Sequence, residues 1–163
     1  MPSYRSEILI DATDEQVWDV LIDLPRYGEW NPFTVAVRSA LEIGADVDMD
    51  VRLNGRVRHQ REILRAFQPP RCLVWGMQLG PRWLLRAERR QTLVVEAETR
   101  TRYVTEDRIE GWLAPLVEVL FGRSLTEGFA AMAEALKERV ESGGLPRGGR
   151  EIVSGDPLPD TRG

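Results

Sequence analysis

Asp46-Val47-Asp48-Met49-Asp50-Val51-Arg52-Leu53-Asn54-Gly55 alternates charged and apolar residues without a break, then stops at a turn dipeptide. A period of two puts Val47, Met49, Val51 and Leu53 on one face of a strand and Asp46, Asp48, Asp50 and Arg52 on the other. The sheet containing it is therefore buried on one side and wet on the other. Asn54-Gly55 tolerates the positive φ of a two-residue hairpin loop, so the chain turns straight back into a second strand.

Outward from that hairpin the same grammar repeats. The return strand covers Val57 to about Phe67 and breaks at Pro69-Pro70. Arg71 to Gln78 follows, with Leu73, Trp75 and Met77 on one face, and Gly80-Pro81 closes it. Two long strands come next, about Leu84 to Val94 and Arg100 to Glu110, joined by a turn near Glu96 to Thr99. Upstream, Phe33 to Leu41 reads as a strand and Tyr4 to Asp11 as the first one. Between them Thr13 and Gln16 make a capping box, and Val17, Trp18, Leu21 and Ile22 give a short amphipathic helix ending by about Leu24.

From Leu113 the period changes. Leu116, Val117, Leu120, Phe121, Leu125, Phe129, Met132, Leu136 and Val140 recur at three- and four-residue steps, which predicts one long helix to about Glu141, with Pro115 in its first turn and Gly143 as its stop. Residues 143–163, rich in Gly, Pro and charge, hold almost nothing that joins a core and are expected to be a disordered tail, leaving one domain over 1–142. An antiparallel sheet plus a single helix with a continuous apolar face is an α+β arrangement, and curving the sheet around the helix buries both.

Composition narrows the function. The 163 residues are 42% hydrophobic with a formal net charge of -4, which argues against nucleic-acid binding. The apolar runs fall well short of the ~20 residues that span a bilayer, and no signal peptide opens the chain, so the expected place is the cytoplasm. Cys72 and His59 are each the only residue of their kind, which removes the usual zinc spacings and leaves no metal or cofactor expected. Arginine supplies nearly all the positive charge, Lys137 being the one lysine.

The chain resembles the START-like, Bet v 1-like (SRPBCC) superfamily and, within it, the bacterial polyketide cyclase/dehydrase-like group. The residues that carry the resemblance are Ile8 to Ala12 before the capped helix, Leu24 to Phe33, Leu73-Val74-Trp75, Arg102-Tyr103, Gly111, Leu113 to Leu116, and Gly128-Phe129 with Met132 and Leu136. It spans roughly residues 4 to 141. What it implies is a helix-grip fold, a curved antiparallel sheet wrapped around the C-terminal helix with an internal cavity. Relatives use that cavity to carry lipids, hormones or quinone-like molecules, or to catalyse cyclisation.

Strand alternation nominates the lining. Tyr103, Thr105 and Asp107 share one face of the last strand, Leu85, Arg89 and Gln91 one face of its partner, and Val57, His59, Arg61 and Ile63 are assigned inward on the strand after Asn54-Gly55. A turn centred near Ala97 sets Arg89 across from Thr105 and diagonal to Asp107. An apolar wall of Trp75, Met77, Leu85, Phe121, Leu125 and Phe129, with Trp30 and Phe33 from the aromatic-rich connection, completes a site for a small amphipathic molecule. The alternative is a cofactor-independent cyclase or dehydratase acting on a polycarbonyl substrate. There Asp107 or His59 removes a proton, Arg89 or Arg61 stabilises the enolate, and Tyr103 protonates the leaving group, although an Asp beside an Arg is expected to be a weak base. Each of these residues also has a structural reading, Arg89 and Asp107 as a strand-end pair and His59 as an exposed histidine. In a third reading Trp83 and Trp112 at the mouth dock a partner or a membrane, but the acidic chain lacks the basic patch such docking uses.

Overall fold

The computed structural model describes residues 2–143. Seven strands, β1 (Ser3–Ile10), β2 (Thr34–Arg38), β3 (Asp46–Leu53), β4 (Arg56–Gln68), β5 (Cys72–Leu79), β6 (Leu85–Ala97) and β7 (Arg100–Glu110), form one antiparallel sheet in the order β1-β7-β6-β5-β4-β3-β2. Helices α1 (Asp14–Ile22) and α2 (Tyr27–Trp30), with a 3-10 turn at Leu24–Arg26 between them, connect β1 to β2 across the end of the sheet. The long helix α3 (Ala114–Glu141) closes the described chain, and the sheet curls around it. This is the helix-grip fold. The tail expected beyond residue 143 lies outside the described residues.

Local chemistry accounts for the boundaries. Thr13 accepts from the Gln16 backbone N–H at 3.2 Å while the Gln16 side chain accepts from the Thr13 N–H at 3.0 Å, the reciprocal capping box that starts α1. Asn54 and Gly55 take φ of 50° and 73°, the positive values a two-residue hairpin needs. The Asn54 amide then donates to the Leu120 carbonyl at 2.9 Å, so the β3–β4 hairpin tip is tied to α3.

Helix α3 is held unevenly along its length. Its C-terminal half carries Phe129, Met132, Ala133, Leu136 and Val140, all buried against the sheet and α1, and each large apolar side chain so buried contributes about 1.5–3 kcal/mol. Lys137 donates to the Leu9 carbonyl at 2.9 Å, the Asp11 N–H donates to Glu141, and buried Arg139 pairs with Glu29 of α2. The N-terminal half is tied down at its start, where the Leu113 N–H donates to the Leu84 carbonyl at 3.0 Å, at the hairpin tip, and at β1, where Gly122 lies close to the Tyr4 hydroxyl. Between those ties a gap opens between the sheet and the helix.

Two expectations about register change. Strand β6 runs to Ala97 with a bulge between Val95 and Ala97, so the turn falls at Glu98-Thr99 and Arg89 stands directly across from Asp107, not Thr105. In β4 the alternation is the reverse of that expected. The hairpin pairs Leu53 with Arg56, Val51 with Arg58, Met49 with Gln60 and Val47 with Glu62, and residues paired across an antiparallel ladder share a face. Arg58, Gln60 and Glu62 therefore point inward, whereas Val57 is 51% exposed and His59 and Arg61 join the outer aspartates.

Candidate functional site

The gap beneath the N-terminal half of α3 is a cavity of about 470 Å3. Leu53, Met77, Leu85, Val117, Phe121 and Leu125 make its apolar walls, and Arg58, Gln60, Glu62 and Asp107 are its polar lining on β4 and β7. It narrows into a recess of about 40 Å3 where Phe33, Trp75, Arg89 and Phe129 meet. The Arg58 guanidinium sits 5.3 Å from the centre of the Phe121 ring, a cation–π contact between the sheet and the helix across the cavity.

Arg89 is 5% exposed and forms no ion pair within 4.0 Å among the described residues. It donates instead through Nε to Thr105 Oγ1 at 3.2 Å, through Nη1 to Thr34 Oγ1 at 3.5 Å, and through Nη2 to Met132 Sδ at 2.8 Å. Its Cζ lies 4.5 Å from the Phe129 ring centre and 6.0 Å from those of Phe33 and Trp75. A buried cation held this way is stabilised by ring faces and hydroxyls, and it is turned away from the main cavity.

The two cavity carboxyls feel the consequence. Burial pushes Asp107 up to about 6, with Arg89 only partly opposing it, and Asp107 Oδ1 is buried with no hydrogen-bond partner. The expectation that Arg89 makes Asp107 a weak base is thus corrected: desolvation outweighs a cation engaged elsewhere. Glu62 is pushed higher, to about 8, first by burial and then by the nearby Asp107 charge, against the pull of Arg89. Two carboxyls near enough for the charge on Asp107 to raise Glu62 do not readily ionise together near neutrality.

The expected site residues separate into three groups. Met77, Leu85, Phe121, Leu125 and Asp107 line the main cavity, and Phe33, Trp75, Arg89 and Phe129 line its recess. Tyr103, Gln91 and Thr105 face the same side of the sheet but lie fully buried below the cavity floor, where the Tyr103 hydroxyl donates to Gln91 Oε1 at 2.8 Å and Thr105 supports Arg89. His59 and Arg61 border the mouth, but the imidazole is 3.0 Å from Asp50 and the Arg61 Nε donates to Asp48 at 2.8 Å, on the outer face. Trp30 is a correction too: it packs on Tyr27 with ring centres 5.0 Å apart, outside the cavity lining. Gln60 and Glu62 were missed, although carrying the β3 alternation across the Asn54-Gly55 turn identifies both.

Compared with known proteins, residues 1–141 match the family model described as polyketide cyclase / dehydrase and lipid transport. No curated protein matches. Among solved structures, a protein of Thermus thermophilus superposes with a TM-score of 0.69 at 19% identity, over 87% of this chain and 99% of that one. A START superfamily protein from Mycobacterium smegmatis gives 0.65 at 20% identity, over 86% and 97%. The ZhuI aromatase/cyclase from Streptomyces sp. R1128 gives 0.62 at 18% identity, over 88% and 99%. At these identities the structures establish a shared fold. Among the described residues no helix is long and apolar enough to cross a membrane.

Proposed function

We propose, for a chain that belongs to the polyketide cyclase/dehydrase and lipid transport family, that its activity is to hold a small amphipathic molecule, lipid-, quinone- or polyketide-like, in the cavity under α3. The observation that carries this reading is the cavity of about 470 Å3, apolar along its walls and polar along Gln60, Glu62 and Asp107. That volume lies within the range of small-molecule sites, and burying an apolar body at roughly 25 cal/mol per Å2 supplies most of the affinity. The test is a fluorescence titration with the neutral probe N-phenyl-1-naphthylamine. Ala87 lines the cavity on β6, so Ala87→Phe, which fills the space from the sheet side, is expected to weaken binding by at least about tenfold while leaving the far-ultraviolet circular dichroism unchanged. Equal affinity in the two proteins contradicts the reading.

The carboxyl pair favours a second reading, a cofactor-independent enzyme for carbonyl substrates. Asp107, raised to about 6, is a fit base for a proton α to a carbonyl, and Glu62, still protonated, donates to the enolate oxygen. His59 faces the outer aspartates and the Tyr103 hydroxyl is engaged by Gln91, so neither keeps a role in that step. Exchange of solvent deuterium into 2,4-decanedione at the methylene between its carbonyls, faster with the protein than without it and lost in Asp107→Asn, is the expected result. Exchange at the same rate with wild type and variant removes the reading.

A further inference from the structure

The polar end of the cavity is unbalanced in a way that selects the ligand's head group, given that the cavity is a binding site as proposed above. Asp107 Oδ1 is buried and accepts no hydrogen bond. Neither Asp107 nor Glu62 takes part in an ion pair within 4.0 Å among the described residues. The nearest buried cation, Arg89, directs one N–H from each of its three nitrogens to Thr105, Thr34 and Met132 and lies against the aromatic rings. Arg58, which shares the inner face of β4, lies over Phe121 on the helix side of the cavity. The Trp75 Nε1 in the recess and the Gln60 amide are the neutral donors at hand.

A carboxylate placed between Glu62 and Asp107 meets two further carboxyls, with Arg58 laid over Phe121 and Arg89 turned to Thr105, Thr34 and Met132, and it is penalised both by desolvation and by like charge. A hydrogen-bond donor meets an unpartnered acceptor and lifts the cost of leaving that oxygen dry. A cation does more, since it also offsets the repulsion that keeps Glu62 and Asp107 from ionising together.

The geometry points to an amphipathic amine as the ligand class: a protonated amine seated between Glu62 and Asp107, with its apolar body along Met77, Leu85, Phe121 and Leu125. A hydroxyl on the same body is the weaker counterpart, and a carboxylate is the weakest of the three. No covalent bond forms or breaks. The one proton that moves is on Glu62, which is protonated at neutral pH and is expected to release that proton to solvent when the ammonium group arrives.

Isothermal titration calorimetry with decylamine, 1-decanol and decanoate tests this with one apolar body and three heads. At neutral pH wild type is expected to bind decylamine at least about tenfold more tightly than decanoate, with decanol between them. Repeating the decylamine titration in buffers of different ionisation enthalpy is expected to show release of close to one proton. In Glu62→Gln/Asp107→Asn, a near-isosteric pair of changes, the three affinities are expected to converge within about threefold and the proton release to disappear. Decanoate binding as tightly as decylamine to wild type overturns the amine proposal and leaves the cavity reading standing. So does binding of the naphthylamine probe with none of the decyl compounds binding. If neither the probe nor any decyl compound binds, both readings fall.

Discussion

Gly128→Ala is expected to destabilise the protein by about 2 kcal/mol, even though alanine in place of a mid-helix glycine is ordinarily worth about 1 kcal/mol in the other direction. Gly128 sits on α3 facing Phe33, and a Cβ there meets Phe33 Cδ2 at 2.1 Å, Cε2 at 2.5 Å and Cγ at 2.8 Å. The ring cannot step aside without cost. Its edge packs on Phe129 with centres 5.1 Å apart at 77°, and Arg89 lies 6.0 Å from its centre. In a domain of this length the midpoint of thermal unfolding should drop by roughly 4–8 °C. Phe33→Leu removes the obstacle, so in that background Gly128→Ala is expected to be neutral or stabilising, a coupling that a double-mutant cycle measures. A higher melting temperature for Gly128→Ala alone contradicts the packing described here.

The second large effect is a loss of stability with rising pH that belongs to Glu62. In the unfolded chain a glutamate titrates near ~4.3, whereas in the fold burial holds Glu62 at about 8. Below the lower value both states are protonated and nothing changes. Between the two the folded state keeps a proton the unfolded state has lost, so stability falls as pH rises, on the order of 1 kcal/mol per pH unit, and levels off above the folded value. Asp107, at about 6, adds its own decline at lower pH and is complete sooner. Between pH ~6.5 and ~8 the slope is therefore Glu62's. Urea midpoints are expected to fall across that window in wild type and to stay flat in Glu62→Gln. Parallel slopes in the two proteins contradict the assignment.

Most of the fold was legible because each boundary has a local cause. The capping box at Thr13 and Gln16, the Asn54-Gly55 turn and the apolar period of α3 each state their structure within a few residues. The site was legible only where face and depth coincide. Alternation places Tyr103, Thr105 and Gln91 on the inner side of the sheet, but it carries no information on depth, and these three lie under the cavity floor. Depth is set by where α3 lifts away from the sheet, a tertiary fact. The error in β4 has a different origin. Val57 and Ile63 invite an inward assignment from their own hydrophobicity, while the register inherited from β3 through a two-residue turn directs Arg58, Gln60 and Glu62 to the cavity face. Cross-strand register outranks the composition of a single strand, and the bulge between Leu64 and Ala66 further blurs the pattern that β4 shows along its own length. Arg89 against Asp107 turned on the same kind of detail, a bulge at Val95 and Ala97 that moved the turn.

The central claim is that a ligand sits inside, beneath the N-terminal half of α3. Methyl-resolved NMR during titration with N-phenyl-1-naphthylamine tests it most directly. The methyls of Met77, Leu85, Ile109 and Leu125, all on the cavity wall, are expected to shift together along one saturating curve, with those of the exposed Leu9, Ile43 and Val94 unmoved. Shifts confined to exposed methyls such as Leu116, Val119 and Leu120, with the cavity methyls silent, would place the molecule outside and contradict the claim.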